Sequence, residues 1–430
     1  MHTPRLNRRF APRRVSFSST VVYRPPDQRF EALAGKVASA LESNEGGAAE
    51  QDFAAVRSAV LAQMPTAGTA RYWLPIQVRR GMGRGARRSS REDELIYQIL
   101  ANGELSSFVS VSEDYTCISV TINIHMESVS VDGVIALGHS SNGRRCTQVI
   151  PLTIGSDEHE VHCLHEAHAR IAHELGLDMP GSTANHFRCV EIREVGSRTR
   201  AMDVLNRYPC ELYGMLYADE GWRHVGLDTA RAALAEAWGT RRFIRAMASG
   251  DACLMVNLRS AEYSRSQHRY FTSFFESGPA YFQHEYRLAA LEHGPFLAIE
   301  LATYRKCIVD ELDGRFGKDS SGESASDRGP RVLSGVRARS YRRSRHRSLA
   351  EGMRRLQMHP STALSSLDTM VEKACGLPAR EEYLGRLLRA YEAEEQINYT
   401  YRANGLIAAL TWINVLIALI AAVATVAIRF

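Results

Sequence analysis

Between Phe108 and Ile154 the chain is rich in Val, Ile and Thr, and apolar and polar positions alternate from Cys117 to Ile124. The Asp132-Gly133 and Asn142-Gly143 pairs punctuate this stretch as hairpin turns do, so the pattern predicts three or four antiparallel strands. A helix is expected from Ser156-Asp157-Glu158, which offer a cap and first-turn acids, to Gly176. Further strands are expected near Phe187–Glu194, Glu211–Ala218 and Ala252–Leu258. Helices at 228–238 and 240–249 are each closed by a glycine, Gly239 and Gly250. Such interleaving predicts a mixed α/β (α+β) body over residues 31–313.

On either side of this body the pattern changes. Residues 1–30 read as a basic disordered arm, and 31–64 as Ala-rich helical segments broken at Glu45-Gly46-Gly47. The Gly/Arg run from Arg79 to Arg91 lacks the spacing of a phosphate-binding loop and reads as a mobile basic loop. Beyond Ser260 the pattern is helical, with Tyr270, Phe271, Phe274, Phe275, Tyr281, Phe282 and Tyr286 as a core stripe, breaks at Gly278-Pro279 and Gly294-Pro295, and an end near Gly314. Residues 314–347 read as a disordered basic linker and 348–404 as a helical stalk.

Gly405–Ile428 holds 24 residues without a charge, about 36 Å as a helix against a hydrocarbon core of about 30 Å. It is expected to be one transmembrane helix at the C-terminus. Arg380, Arg386, Arg389 and Arg402 precede it and Arg429 follows, which keeps the N-terminal body in the cytoplasm, at the inner membrane if the source is a bacterium. With two residues after the span, insertion is expected to be post-translational, as in a tail-anchored protein. Thr411, Asn414, Ala418, Ala421, Ala422 and Thr425 recur at steps of three or four along one face. Small residues let helices approach and a mid-span Asn seeks an interhelical hydrogen bond, so this face is expected to make the protein a homo-oligomer in the lipid bilayer.

Charge sharpens the division. The formal net charge of +5 divides into +10 over residues 1–91, −12 over 92–313, +7 over 314–347 and zero beyond. An acidic body between basic flanks excludes nucleic acid as the partner of the folded part. The 8 cysteines are scattered with no C-x-x-C pair, and read as thiols of a reducing compartment rather than zinc ligands.

Candidate chemistry is sparse. Histidines concentrate from His159 to His173, and on one helix His162, His165 and Glu166 would share a face at i, i+3 and i+4, the best local metal-binding trio. Gly138-His139-Ser140-Ser141-Asn142-Gly143 lacks the spacing of a nucleophile elbow. No catalytic residue and no cofactor is expected, and the reading leans away from an enzyme.

A mixed α/β body, long helices and a C-terminal membrane segment follow one another in an order that resembles the layout of CorA-type divalent-cation channels. That family's second span and its Gly-Met-Asn signature are missing here, so the resemblance assigns no residue. The pattern as a whole predicts a membrane sensor or effector, of the kind used in bacterial defence or stress. Its cytosolic body would receive a protein or small-molecule signal, and its spans would self-associate, with permeabilisation as the output. A membrane-tethered enzyme, such as a metal-dependent hydrolase, and a CorA-like channel are the alternatives.

Overall fold

The computed structural model describes residues 10–42 except 11, 69–78 except 75, 90–258 except 148, 155–156, 196–199 and 240–243, then 279–316, 349–356 except 355, and 365–429. The Arg79–Arg91 run before Ser90, the 314–347 linker beyond Phe316, and residues 270–278 of the aromatic stripe lie outside the described residues.

The body is built on a seven-stranded mixed sheet in the order β2-β4-β5-β1-β8-β10-β9. Its strands are β1 (Arg14–Arg24), β2 (Thr69–Leu74), β4 (Glu104–Ser112), β5 (Cys117–Glu127), β8 (Thr183–Glu194), β9 (Ile244–Ala248) and β10 (Ala252–Asn257). A second sheet joins β3 (Ile76–Val78), β6 (Ile150–Ile154) and β7 (Asp157–Val161). The helices are α1 (Asp27–Glu42), α2 (Arg91–Asn102), α3 (Val131–Ser141), α4 (Leu164–Leu175), α5 (Ala201–Arg207), α6 (Pro209–Tyr217), α7 (Leu227–Ala233), α8 (Pro279–Phe316), α9 (Ser365–Ala374) and α10 (Leu377–Arg429). A 3-10 helix covers Glu220–His224. The mixed α/β class is as expected.

The two faces of the large sheet differ in chemistry. One turns Val15, Phe17, Val120, Ile122 and Val190 into a core shared with Ile96 of α2, Leu137 of α3 and Ile171 of α4. Period-two alternation requires the other face to carry what lies between, and it is polar. There Thr20 Oγ1 and Thr121 Oγ1 lie 2.9 Å apart, and Ser18 donates to Asn123 Oδ1 at 2.6 Å. Helix α8 crosses this face: Phe296 meets Phe108 and Phe187, and Glu300 accepts from Ser119 at 2.9 Å.

Several expectations are corrected. Residues 14–24 are not part of a disordered arm but the middle strand of the sheet, paired antiparallel with both β5 and β8. Their cations are met at a distance: Arg14 by Glu127 and Glu194, and buried Arg24 by Glu311, Thr116, the Tyr115 carbonyl and Asp27. The Asp132-Gly133 pair opens helix α3, because Ser130 caps it by accepting the Gly133 N–H at 3.1 Å, and Asn142-Gly143 is that helix's end. The expected strand at 211–218 is instead helix α6, started by Pro209, ending at Tyr217 and stopped by Ala218 in the left-handed region (φ 51°). Residues 244–248 form a strand against β10 rather than a helix. Likewise Asp157–Val161 is strand β7; the helix starts only at Leu164, though Gly176 ends it as expected. Helix α8 runs through Gly294-Pro295 without a break.

Two compact units divide the chain, 1–311 with 358–378, and 312–357 with 379–430. In the second, Leu349, Leu356 and Leu384 are buried and Arg380 pairs with Asp313 at 2.5 Å. From Tyr399 to Ala421 helix α10 presents 23 apolar-rich residues, none of whose described side chains is buried, and is long and apolar enough to cross a membrane. This run begins six residues before the stretch expected from the sequence.

Candidate functional site

The expected metal trio sits at the entry to α4. Glu166 accepts the backbone N–H of His162 at 2.7 Å and forms an ion pair with Arg145, while His162 Nδ1 lies 3.1 Å from the Cys146 carbonyl. His162 and Glu166 thus tie the loop after α3 to α4, and His165 points to solvent. The other histidines part company: His159 is on β7, His173 pairs with Asp178 at 2.9 Å, and His168 is buried under the sheet.

Beneath α4, Ser19 Oγ lies between His168 Nε2 at 3.0 Å and His186 Nε2 at 3.3 Å. Burial holds His168 well below its ordinary value, helped by the neighbouring His186, and burial beside Arg188 pushes His186 down to about 4. Both rings are therefore neutral at pH 7. Ser19 has no exposed surface, so no substrate reaches its hydroxyl. The cluster is a polar tie between β1, β8 and α4. Arg188 does similar work nearby: its buried guanidinium donates to the Leu216 carbonyl at 2.8 Å and to Asp251 at 3.1 Å.

Among the described residues, the one group of three whose ligand atoms all lie within 4.8 Å is Glu92, His139 and Glu220. Glu92 stands in the first turn of α2, whose start is fixed by a capping box between Ser90 and Asp93. Asp93 also accepts the Thr147 backbone N–H at 3.2 Å and its hydroxyl at 2.7 Å, drawing in the loop that carries Arg144. Burial raises the Asp93 carboxyl, but these hydrogen bonds outweigh it and hold the group below its ordinary value.

His139 lies in the last turn of α3, next to Gly138. A Cβ at Gly138 would come within 2.9 Å of Ala218 Cβ, so glycine is what lets α3 approach the end of α6 this closely. There the Ala218 carbonyl takes the His139 Nε2 hydrogen at 2.8 Å. Glu220 opens the 3-10 helix, which Asp219 caps by accepting the Gly221 N–H at 2.8 Å.

His139 Nδ1 thus faces Glu92 Oε1 at 2.8 Å and Glu220 Oε1 at 3.2 Å. Arg144 joins them, 2.7 Å from Glu92 Oε2, in contact with Glu220, and 3.3 Å from His139 Nδ1. The pair with Glu220 raises the Arg144 guanidinium further, so it stays charged. Beside the cluster lies an open hollow of about 370 Å³ lined by His139, Asn142, Arg144, Ala218, Asp219 and Glu220. An imidazole, two carboxylates and a guanidinium at a hollow suit binding of a cation or a small polar ligand.

Sequence reasoning did not assemble this group because its members come from three elements and a loop, with Glu92 and His139 47 positions apart and Arg144 and Glu220 76 apart. No local spacing announces it.

On α10, Thr411 donates to the Ile407 carbonyl of its own helix at 2.8 Å, whereas the exposed side chain of Asn414 has no hydrogen-bond partner among the described residues. Ala418 and Ala421 are exposed too, while the side chains of Ala422 and Thr425 lie outside the described ones.

Compared with models of protein families, with curated proteins and with solved structures, the chain matches none of them. The resemblance to the CorA-type layout stands on the order of elements alone.

Proposed function

We propose that the protein is a membrane-bound sensor or effector, in which helix α10 holds a folded α/β body on the cytoplasmic side of a bilayer and copies of the helix associate with one another. The observation that carries this reading is the 23-residue run from Tyr399 to Ala421, none of whose described side chains is buried. In water such a surface is unfavourable by about 25 cal/mol per Å² of apolar area, and a bilayer removes that cost. Tyr399 and Tyr401 stand exposed at the end of the run nearer the body, where amphipathic rings favour the headgroup level.

Association follows from Asn414. Its carboxamide, unpartnered along the helix and placed mid-span, gains a hydrogen bond only from another helix, a contact worth about 0.5–2 kcal/mol in a membrane. Ala418 and Ala421 on the same side permit the approach. Because α10 is continuous from Leu377, a rotation or clustering imposed at its start is carried to the span. Permeabilisation is the output that a polar seam within an oligomer provides, and the signal is a protein or small molecule received by the body.

The test uses the full chain in membranes. Carbonate extraction should leave it in the pellet, and a variant stopped after Asn404 should be released. Asn414→Leu with Ala418→Ile should reduce crosslinked oligomers and depolarisation of expressing cells together. Release of the full chain would refute the anchor, and unchanged crosslinking would refute the association.

A further inference from the structure

We propose that Glu92, His139 and Glu220 form a binding site for a divalent transition metal of the zinc class, with the Arg144 guanidinium as its built-in competitor. The site belongs to the body and does not depend on the membrane reading.

The argument begins at the imidazole. A backbone carbonyl can only accept, so the 2.8 Å contact to Ala218 places the hydrogen on Nε2 and, in the neutral ring, the lone pair on Nδ1. That lone pair points at two carboxylate oxygens, at 2.8 and 3.2 Å. Acceptor facing acceptor is repulsive unless a positive centre lies between them: a second proton on the ring, the Arg144 guanidinium 3.3 Å from Nδ1, or a metal ion in their place. A ring hydrogen given to a backbone carbonyl is also how metal-ligating histidines fix their tautomer and orientation.

The carbonyl is held for this task. Ala218 occupies the left-handed region at φ 51°, an uncommon conformation for a residue with a Cβ, and Gly138 clears the space for the contact. At about 2.0–2.2 Å per bond, ligands around a tetrahedral zinc ion stand roughly 3.3–3.5 Å apart, so Glu92, 2.8 Å from Nδ1, has to draw back by about half an ångström and Glu220, at 3.2 Å, by less. One nitrogen and two carboxylate oxygens suit zinc and its first-row neighbours better than calcium, which prefers six or more oxygens. The hollow beside Asn142 and Asp219 leaves a coordination position for water or a ligand.

Arg144 occupies the cation's place from the loop after α3. Its side chain is 53% exposed, so it can turn into solvent without stranding a buried charge. Metal binding therefore releases Arg144 from both glutamates, and loss of the metal lets the guanidinium swing back between them.

The experiment titrates Co2+ and Zn2+ into the chelator-treated full chain in detergent micelles, read by cobalt visible absorption and calorimetry. One ion per chain is expected. Arg144→Ala should tighten binding about tenfold by removing a competing charge, whereas His139→Ala and Glu220→Gln should each weaken it about 10- to 100-fold, the scale of losing a ligand or its support. Glu220 is surface-exposed, so that variant keeps its fold, checked by circular dichroism. Failure of both the wild-type chain and Arg144→Ala to bind stoichiometrically would overturn the site, as would binding that survives His139→Ala or that is lost on His162→Ala.

Discussion

The indole N–H of Trp222 donates to Asp132 Oδ1 at 3.1 Å while Arg223 reaches Oδ2 of the same carboxylate at 2.6 Å. Helix α3 is thereby fastened at its start to the 3-10 helix whose first residue, Glu220, meets His139 at the other end of α3. Trp222 also lies against Gly214, where a Cβ would come within 2.6 Å of the tryptophan's own. Asp132→Ala should cost about 1–3 kcal/mol, the penalty of leaving such donors unmet. Urea unfolding would measure it, and hydrogen exchange should rise across 218–224 before it rises in the sheet.

Acid should destabilise the body through His168 and His186. Both have folded-state values below the ordinary 6.5, His186 near 4. Below pH 6.5 the unfolded chain binds protons that the folded chain refuses, so stability falls as pH drops from about 6.5 toward 4 and is fully present above that window. For His186 alone the loss is about 1–3 kcal/mol, allowing for its partial exposure. Thermal unfolding of His186→Gln should show a shallower pH slope over this window than the parent chain; an identical slope would show that the ring titrates freely.

Two glycines should respond oppositely to alanine. Gly138→Ala drives a methyl group into Ala218 and should cost about 1–3 kcal/mol. Gly35, exposed in α1, has nothing within 4 Å of an added Cβ, and Gly35→Ala should stabilise by about 0.5–1 kcal/mol through helix propensity. The difference between their melting temperatures tests both assignments at once.

Residues 14–24 are indispensable if β1 holds the sheet together. Removing 1–24 would leave β2-β4-β5 and β8-β10-β9 without their shared neighbour, and the product should be recovered as aggregate. The milder Arg24→Met takes the buried guanidinium away from Glu311, Thr116 and the Tyr115 carbonyl together and should cost about 1–3 kcal/mol. Soluble expression with native-like circular dichroism after the deletion would contradict this role.

What could be read from the residues depended on whether their partners were local. Strand β5 was legible because Ile118, Val120, Ile122 and Ile124 alternate with polar neighbours within the strand itself, and the apolar run of α10 because length and composition alone define it. Strand β1 was not. Its arginines read as a solvated arm until Glu127, Glu194 and Glu311 are brought to them. Asp132-Gly133 misled for the opposite reason: a dipeptide suited to a turn is equally suited to a helix's first turn once Ser130 caps it. The Glu92, His139 and Glu220 group, drawn from three elements, left no trace in any window of sequence.

The central position of β1 also sets the order in which the protein can mature on the ribosome. Its contacts reach across 105 positions to β5 and 167 to β8, as the Ser18–Asn123 and Ser19–His186 pairs show. The strand therefore emerges long before either partner, and the sheet cannot close until β8 has left the exit tunnel. Such long-range pairing slows folding and leaves strand edges exposed in the meantime. A nascent chain halted before residue 183 should accordingly be sensitive to protease in β1 and hold on to chaperones, and one released beyond 257 should not.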